Sequence, residues 1–232
     1  IGIDLGTSNT LVAMVSQSGV PEIRQIDQAP MVPSIIFVEE LGGNVTVGKA
    51  ARDMWREPGE DASRGFRRWK LRMGDDQPLA ILSVGTGRKA EPLQVTAEYL
   101  TARMVEFIVN QLCEGLGGEQ IESVLVTVPH GWRREHPEKC RSTRQAAAQA
   151  RPHSGTLRVQ DVTVSEPVAA AAYWIWLARS AGNGIDLEGK TVLVCDMGGG
   201  TFDLSLIRVG GADRPLDVVD ADGSAPAGAG PK

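Results

Sequence analysis

An apolar strand that ends in aspartate, then a glycine turn, then a second strand: this unit occurs twice in the chain, with the two aspartates 192 residues apart. The first copy is Ile1-Gly-Ile-Asp4-Leu-Gly6-Thr7-Ser8-Asn9-Thr10-Leu-Val-Ala-Met-Val15. The second is Val192-Leu-Val-Cys-Asp196-Met-Gly198-Gly199-Gly200-Thr201-Phe-Asp203-Leu-Ser-Leu-Ile207. A short apolar run such as Val192–Cys195 reads as a strand covered on both faces. Glycines let the backbone turn with positive φ and bring its N–H groups close to a bulky anion. The aspartate at each strand end offers the oxygen that a hydrated cation needs. One such turn is also what a plain tight hairpin looks like. Two of them at the separation of a domain suggest related lobes whose phosphate loops face each other across a cleft.

Composition narrows the partners. A chain of 232 residues with 42% hydrophobic and 23% charged residues is long enough for a full core and ordinary for a soluble globular protein. Its net charge of −5 argues against non-specific binding of nucleic acid or of an anionic membrane surface. No apolar run approaches the ~18 residues of a membrane span, and nothing at the N-terminus resembles a signal peptide, although a start at Ile1 inside a strand suggests trimming. Cys113, Cys140 and Cys195 are odd in number and form no C-x-x-C, which fits a reduced, cytoplasmic compartment. His130, His136 and His153 lack metal-ligand spacing and read as surface or loop histidines.

Along the chain, strands are expected near Pro21–Ile26, Ile35–Val38, Val45–Val47, Ile121–Val128 and Val159–Val164. Helices are expected over 49–56, from Thr96 to Leu112, over 138–150 and from Ser165-Glu166-Pro167 onward, where proline suits the first turn. Gly43-Asn-Val-Thr-Val-Gly48-Lys49 has the spacing of a Walker A loop but ends in Ala50, where Mg²⁺ needs a hydroxyl, and its interior is β-branched. It is not expected to bind phosphate. Residues 65–74 form a basic segment that reads either as a solvated helix face or as a source of one cation for the cleft. Beyond Val209 the pattern is lost, and 221–232 are expected to be an irregular tail or a cut end.

Motifs in order along the chain carry a resemblance. Ile1–Thr10 and Val194–Asp203 resemble the two phosphate motifs of the actin-like ATPase superfamily. Val32-Pro-Ser34, Lys70-Leu-Arg-Met-Gly74, Val126-Thr-Val-Pro129 and Ser165-Glu166-Pro167-Val-Ala-Ala-Ala-Ala-Tyr173, with Asp196-Met-Gly-Gly-Gly-Thr-Phe-Asp203, resemble DnaK-type heat-shock chaperones of the seventy-kilodalton family. The resemblance implies an α/β fold of actin-like, ribonuclease H-like topology. Residues 1–178 would be lobe one, with an inserted subdomain at about 35–90, and 179–220 the beginning of lobe two.

It also implies ATP or ADP and Mg²⁺ as cofactors. Asp4 and Asp196 would hold the hydrated ion, and Gly6, Thr7, Ser8, Asn9, Gly198, Gly199, Gly200 and Thr201 would bind phosphates. Lys70 would lie near the γ-phosphate, Glu166 would orient the attacking water, and Asp203 would be a second carboxylate beside it, with Asp196 and Thr201 serving the catalytic step as well. The implied partners are a J-domain cochaperone, a nucleotide exchange factor and unfolded client peptides, in a stress response. Pro129 and Arg144 match a pair linked to interdomain signalling, but the interval between them is longer than usual. His130–Cys140 therefore reads as an insertion, which leaves Arg141 and Arg144 as alternatives. Whether the chain is itself an active ATPase stays open, since its adenosine-binding half is expected to be missing. A filament-forming actin-like ATPase of rod-shape type, favoured by Val47-Gly-Lys-Ala-Ala-Arg-Asp-Met54, and a sugar-type kinase remain as alternatives.

Overall fold

A computed structural model describes residues 1–85, 87, 90–118, 120–180, 187–199, 202–211 and 216–224. In chain order the elements are β1 (Gly2–Leu5), β2 (Asn9–Val15), β3 (Pro21–Ile23), β4 (Val32–Pro33), β5 (Ile35–Val38), β6 (Val45–Val47), α1 (Gly48–Arg56), β7 (Gly65–Arg67), β8 (Ala80–Val84), β9 (Glu91–Val95) and α2 (Ala97–Gly115). They continue with β10 (Ser123–Val128), α3 (His130–Glu135), α4 (Pro137–Ala148), β11 (Arg158–Val159), β12 (Val164–Ser165), α5 (Glu166–Ser180), β13 (Thr191–Met197), β14 (Phe202–Val209) and β15 (Leu216–Ser224).

The main sheet runs β11-β10-β1-β2-β3, with β12 also on β10 and β4 also on β2. β1 sits at its centre, parallel to β10 and antiparallel to β2. Ile3 and Leu5 alternate into the core, which sets Asp4 on the opposite face. Behind the sheet lies α2, opened by Thr96, whose side chain accepts a hydrogen bond from the Tyr99 amide at 3.0 Å. Its stripe of Leu100, Met104, Ile108 and Leu112 is buried in the same core as Ile3, Val124 and Val126. The small sheet β6-β5-β7 and the hairpin β8–β9 contribute Ile36, Val38, Phe66, Leu82 and Val95 to that same core. A second cluster joins Ala171 and Ile175 of α5 to Leu187, Ile207 and Val209, beneath the sheet β13-β14-β15. Among the described residues no helix is long and apolar enough to cross a membrane.

Several expectations need correction. Residues 221–224 are not an irregular tail: they complete β15, which pairs antiparallel with β14 from Val209↔Leu216 to Phe202↔Ser224. A ladder uses backbone N–H and C=O groups, so small and polar residues join it without any hydrophobic period to announce them. Residues 225–232 lie outside the described residues. The strand expected over Val159–Val164 is two short ones, pairing with opposite ends of β10. Hairpin β8–β9 went unforeseen because Pro92 and the polar residues of β9 blur its alternation. The rejected Walker-type loop is indeed strand and helix: β6 pairs with β5, and Lys49 and Ala50 lie in α1. The basic segment is not a solvated helix face. It is β7 followed by a 3₁₀ turn over Trp69–Arg72, and Lys70 within it is buried. Residues 130–140 form α3 and the start of α4.

Candidate functional site

The β1–β2 turn is shaped from outside itself. The Ser34 hydroxyl donates to the Gly6 carbonyl at 2.7 Å and its amide to the Ser8 carbonyl at 2.8 Å, while Ser34 Oγ and Thr10 Oγ1 stand 3.0 Å apart. Ser34 is buried directly after β4, so the Val-Pro-Ser segment holds the loop from below. Thr7 is buried, whereas Ser8 and Asn9 are exposed. The β13–β14 turn meets this loop head on. A Cβ built on Gly199 would lie 2.8 Å from Ser8 Cβ and well inside contact with Ser8 Oγ, so only glycine allows the two turns to approach this closely.

Between them lies a cavity of about 220 Å³, lined by Asp4, Gly6, Thr7, Ser8, Asn9, Lys70, Glu166, Asp196, Gly198 and Gly199, with Leu11, Met31 and Met197 at its margins. Asp4 is oriented by Thr127 on the neighbouring strand, whose hydroxyl donates to Asp4 Oδ1 at 2.6 Å. Lys70 is only 5% exposed, and its ammonium donates to and ion-pairs with Glu166 Oε1. Arg68 precedes it in the left-handed conformation (φ 59°, ψ 18°), which turns the chain so that Trp69 enters the core. The Trp69 indole N–H then donates to Thr101 Oγ1 at 3.2 Å, which ties the Lys70 turn to α2.

The electrostatics of this cavity suit a cation. Burial pushes the Glu166 carboxyl up to about 7 against the opposing pull of Lys70, and the charges of Asp4 and Asp196 push it the same way as burial. The Asp196 carboxyl is also raised, by burial first and by Asp4 second, against Lys70. The negative charge that Asp4 and Asp196 place beside Glu166 is more than one lysine neutralises. Among the described residues, no three His, Cys, Asp or Glu side chains are grouped to hold a metal ion by themselves. Asp4 and Asp196 are the carboxylates that this cavity could offer to an ion that keeps several of its own waters, as Mg²⁺ does.

Most of the predicted site residues thus share one cavity. Gly200 and Thr201 lie outside the described residues. Asp203 pairs with Asp196 across the β13–β14 ladder, yet it lines a separate space of about 30 Å³ with His130, Gly131, Arg134 and Ser205. His130, expected as an ordinary surface histidine, places Nδ1 3.0 Å from the hydroxyl of buried Ser165, immediately before Glu166. Its pKa is lowered by burial, then by Arg133 and Arg134, with Asp203 opposing. Arg144 is bonded to the Asp161 carbonyl, and Arg141 is exposed. Sequence reasoning missed the roles of Thr127 and Ser34. Both lie inside motifs it singled out, but contacts across 123 and 28 residues leave no mark in a linear pattern.

Two strand–turn–strand units on separate sheets, facing each other across strand-end aspartates and a lysine–glutamate pair, define an actin-like ATPase fold. Residues 1–224 match the family described as Hsp70 protein, and the chain belongs to that family. It is 29% identical over 229 residues to the chaperone protein DnaK of Thermosipho melanesiensis, 30% over 229 residues to that of Thermosipho africanus and 29% over 230 residues to that of Thermotoga maritima. Each of these matches covers 97% of this chain and 32% of the relative, so the chain spans about a third of the length of the curated relatives it matches. A family match over this extent does not favour the filament-forming or sugar-kinase alternatives.

Proposed function

We propose that this chain is the phosphate-handling part of the ATPase domain of a DnaK-type chaperone. In this reading residues 1–178 are lobe one, with 35–90 as an inserted subdomain, and β13–β15 begin lobe two. The observation that carries it is the Lys70–Glu166 pair, buried at the one cavity where both glycine turns meet. Asp4 and Asp196 would hold a hydrated Mg²⁺, which supplies charge neutralisation on the β- and γ-phosphates when bound. Gly6, Thr7, Ser8 and Asn9 on one side and Gly198–Thr201 on the other would bind the phosphate oxygens with hydroxyls and backbone N–H groups. Lys70 would set its ammonium against charge developing on the γ-phosphate. Glu166 would orient the attacking water, with Asp203, on β14 opposite Asp196, as a second carboxylate. Phosphoryl transfer asks for positioning and electrostatics more than covalent chemistry, and these residues offer both.

The family relation further supports a cytoplasmic stress protein that works with a J-domain cochaperone, a nucleotide exchange factor and unfolded peptides. The test is single-turnover hydrolysis of Mg-ATP by the full-length protein. Lys70→Ala should lose roughly two orders of magnitude in rate, about 3 kcal/mol, while nucleotide affinity changes little. Undiminished hydrolysis in that variant would return Lys70 to a structural ion pair.

A further inference from the structure

The segment 130–139 reaches both members of the Lys70–Glu166 pair. From α3, Trp132 is 9% exposed, and its ring centroid lies 5.9 Å from Lys70 Nζ. Lys139 Nζ stands 5.4 Å from the centroid of the same ring and donates to the Leu71 carbonyl at 3.3 Å. The α4 start also packs on the end of the Lys70 turn: a Cβ on Gly74 would sit 3.6 Å from Lys139 Cγ and 3.8 Å from Glu138 Cγ. On the other flank, His130 is bonded to Ser165, the residue before Glu166. The ring itself is placed by the short helix that leaves β10 at Pro129, where the Trp132 amide donates to the Pro129 carbonyl at 3.2 Å.

We propose that Trp132 is a positioning residue for γ-phosphate hydrolysis, its ring face holding the Lys70 ammonium at the cleft while Lys139 fixes the turn beneath it. This inference rests on the role of Lys70 proposed above. An aromatic face suits the task because it stabilises a cation without neutralising it. A second carboxylate in the same place would compete with phosphate for the ammonium. Glu166 supplies one bond to Lys70, and a single bond on a four-carbon side chain leaves the ammonium free to swing. The ring restricts that swing from a second side.

The experiment is a double-mutant cycle on the full-length protein, read by single-turnover hydrolysis and by Mg-ATP affinity. Lys70→Ala comes first: if it hydrolyses like the parent, the reading of Lys70 fails and Trp132 has nothing to position. With that loss in hand, Trp132→Leu should slow hydrolysis about tenfold with affinity within about twofold, and Trp132→Phe should stay within about threefold of the parent. In the Lys70→Ala background Trp132→Leu should add nothing, because it acts only through the missing ammonium. A further loss in the double variant, equal losses in the leucine and phenylalanine variants, or an unaffected Trp132→Leu would each overturn the proposal. Should Trp132→Leu not fold, site-specific replacement of Trp132 by tryptophans of rising fluorine content keeps the ring's shape and drains its face of charge. The rate should then fall step by step with fluorine number, and a flat series overturns the proposal equally.

Discussion

Asp4 and Asp196 stand on strands of different sheets, yet both line one cavity with Lys70 and Glu166. If they share one hydrated ion, Asp4→Asn and Asp196→Asn should each raise the Mg²⁺ concentration needed for tight ATP binding, and titration of affinity against Mg²⁺ shows it. A shift in one variant alone would mean that the two loops serve different sites. Glu166 carries a separate, pH-dependent consequence. Its carboxyl is raised to about 7, so the folded state holds the proton more tightly than the unfolded chain does. The stabilisation is complete below the ordinary glutamate pKa and is lost as pH climbs through about 7, by roughly 3 kcal/mol. Asp196 works in the same sense and His130, with its lowered pKa, in the opposite one. The diagnostic quantity is therefore a difference. Between pH 5 and 8, without Mg²⁺ or nucleotide, the melting temperature of the parent should fall more steeply than that of Glu166→Gln, and parallel curves would contradict the raised carboxyl.

At the scale of elements, the site depends on two turns pressed together and one turn held in place. Gly199 is where the pressing is most severe, and a methyl there displaces Ser8. Gly199→Ala should weaken Mg-ATP binding by roughly tenfold or more while leaving the two cores intact, since a contact this close is not relieved by a small side-chain shift. Adding Ser8→Gly removes the obstructing Cβ and hydroxyl and should restore part of the affinity, as calorimetric titration would show. Much of this architecture is legible in the sequence: both turns, α2, β10 and the start of α5 announce themselves by glycine, period or capping residue. The Lys70 turn does not. Its local pattern is a basic run, and only Trp69 packing on Thr101, after the left-handed Arg68, buries the lysine.

Over the whole molecule, the two clusters of buried residues are unequal. The first carries the main sheet, both small β-sheets and α2, whereas the second rests on α5 and one face of β13–β15. The opposite face of that sheet carries Leu193, Met197, Phe202 and Leu206 exposed, at 58%, 82%, 38% and 37%. Apolar strand surface of this kind favours association between chains. The 232-residue polypeptide on its own should therefore sediment as a concentration-dependent mixture, and Leu193→Lys with Leu206→Lys should shift it toward monomer with little change in the far-ultraviolet spectrum. Monomer at high concentration without those changes would show that the face is protected.

The class of fold and the choice of Lys70 and Glu166 rested on resemblance to a known family, but the sequence by itself determined the two loops with their strand-end aspartates. It could do so because glycine turns and strand-end carboxylates are local requirements, written where they act. Tertiary structure alone decided that Lys70 is buried against Glu166, that Thr127 and Ser34 support the first loop, that Asp203 faces another space, and that residues 221–224 belong to a strand. Those outcomes depend on contacts between distant segments and on backbone pairing that is indifferent to side chain, and neither has a period that a linear reading can detect.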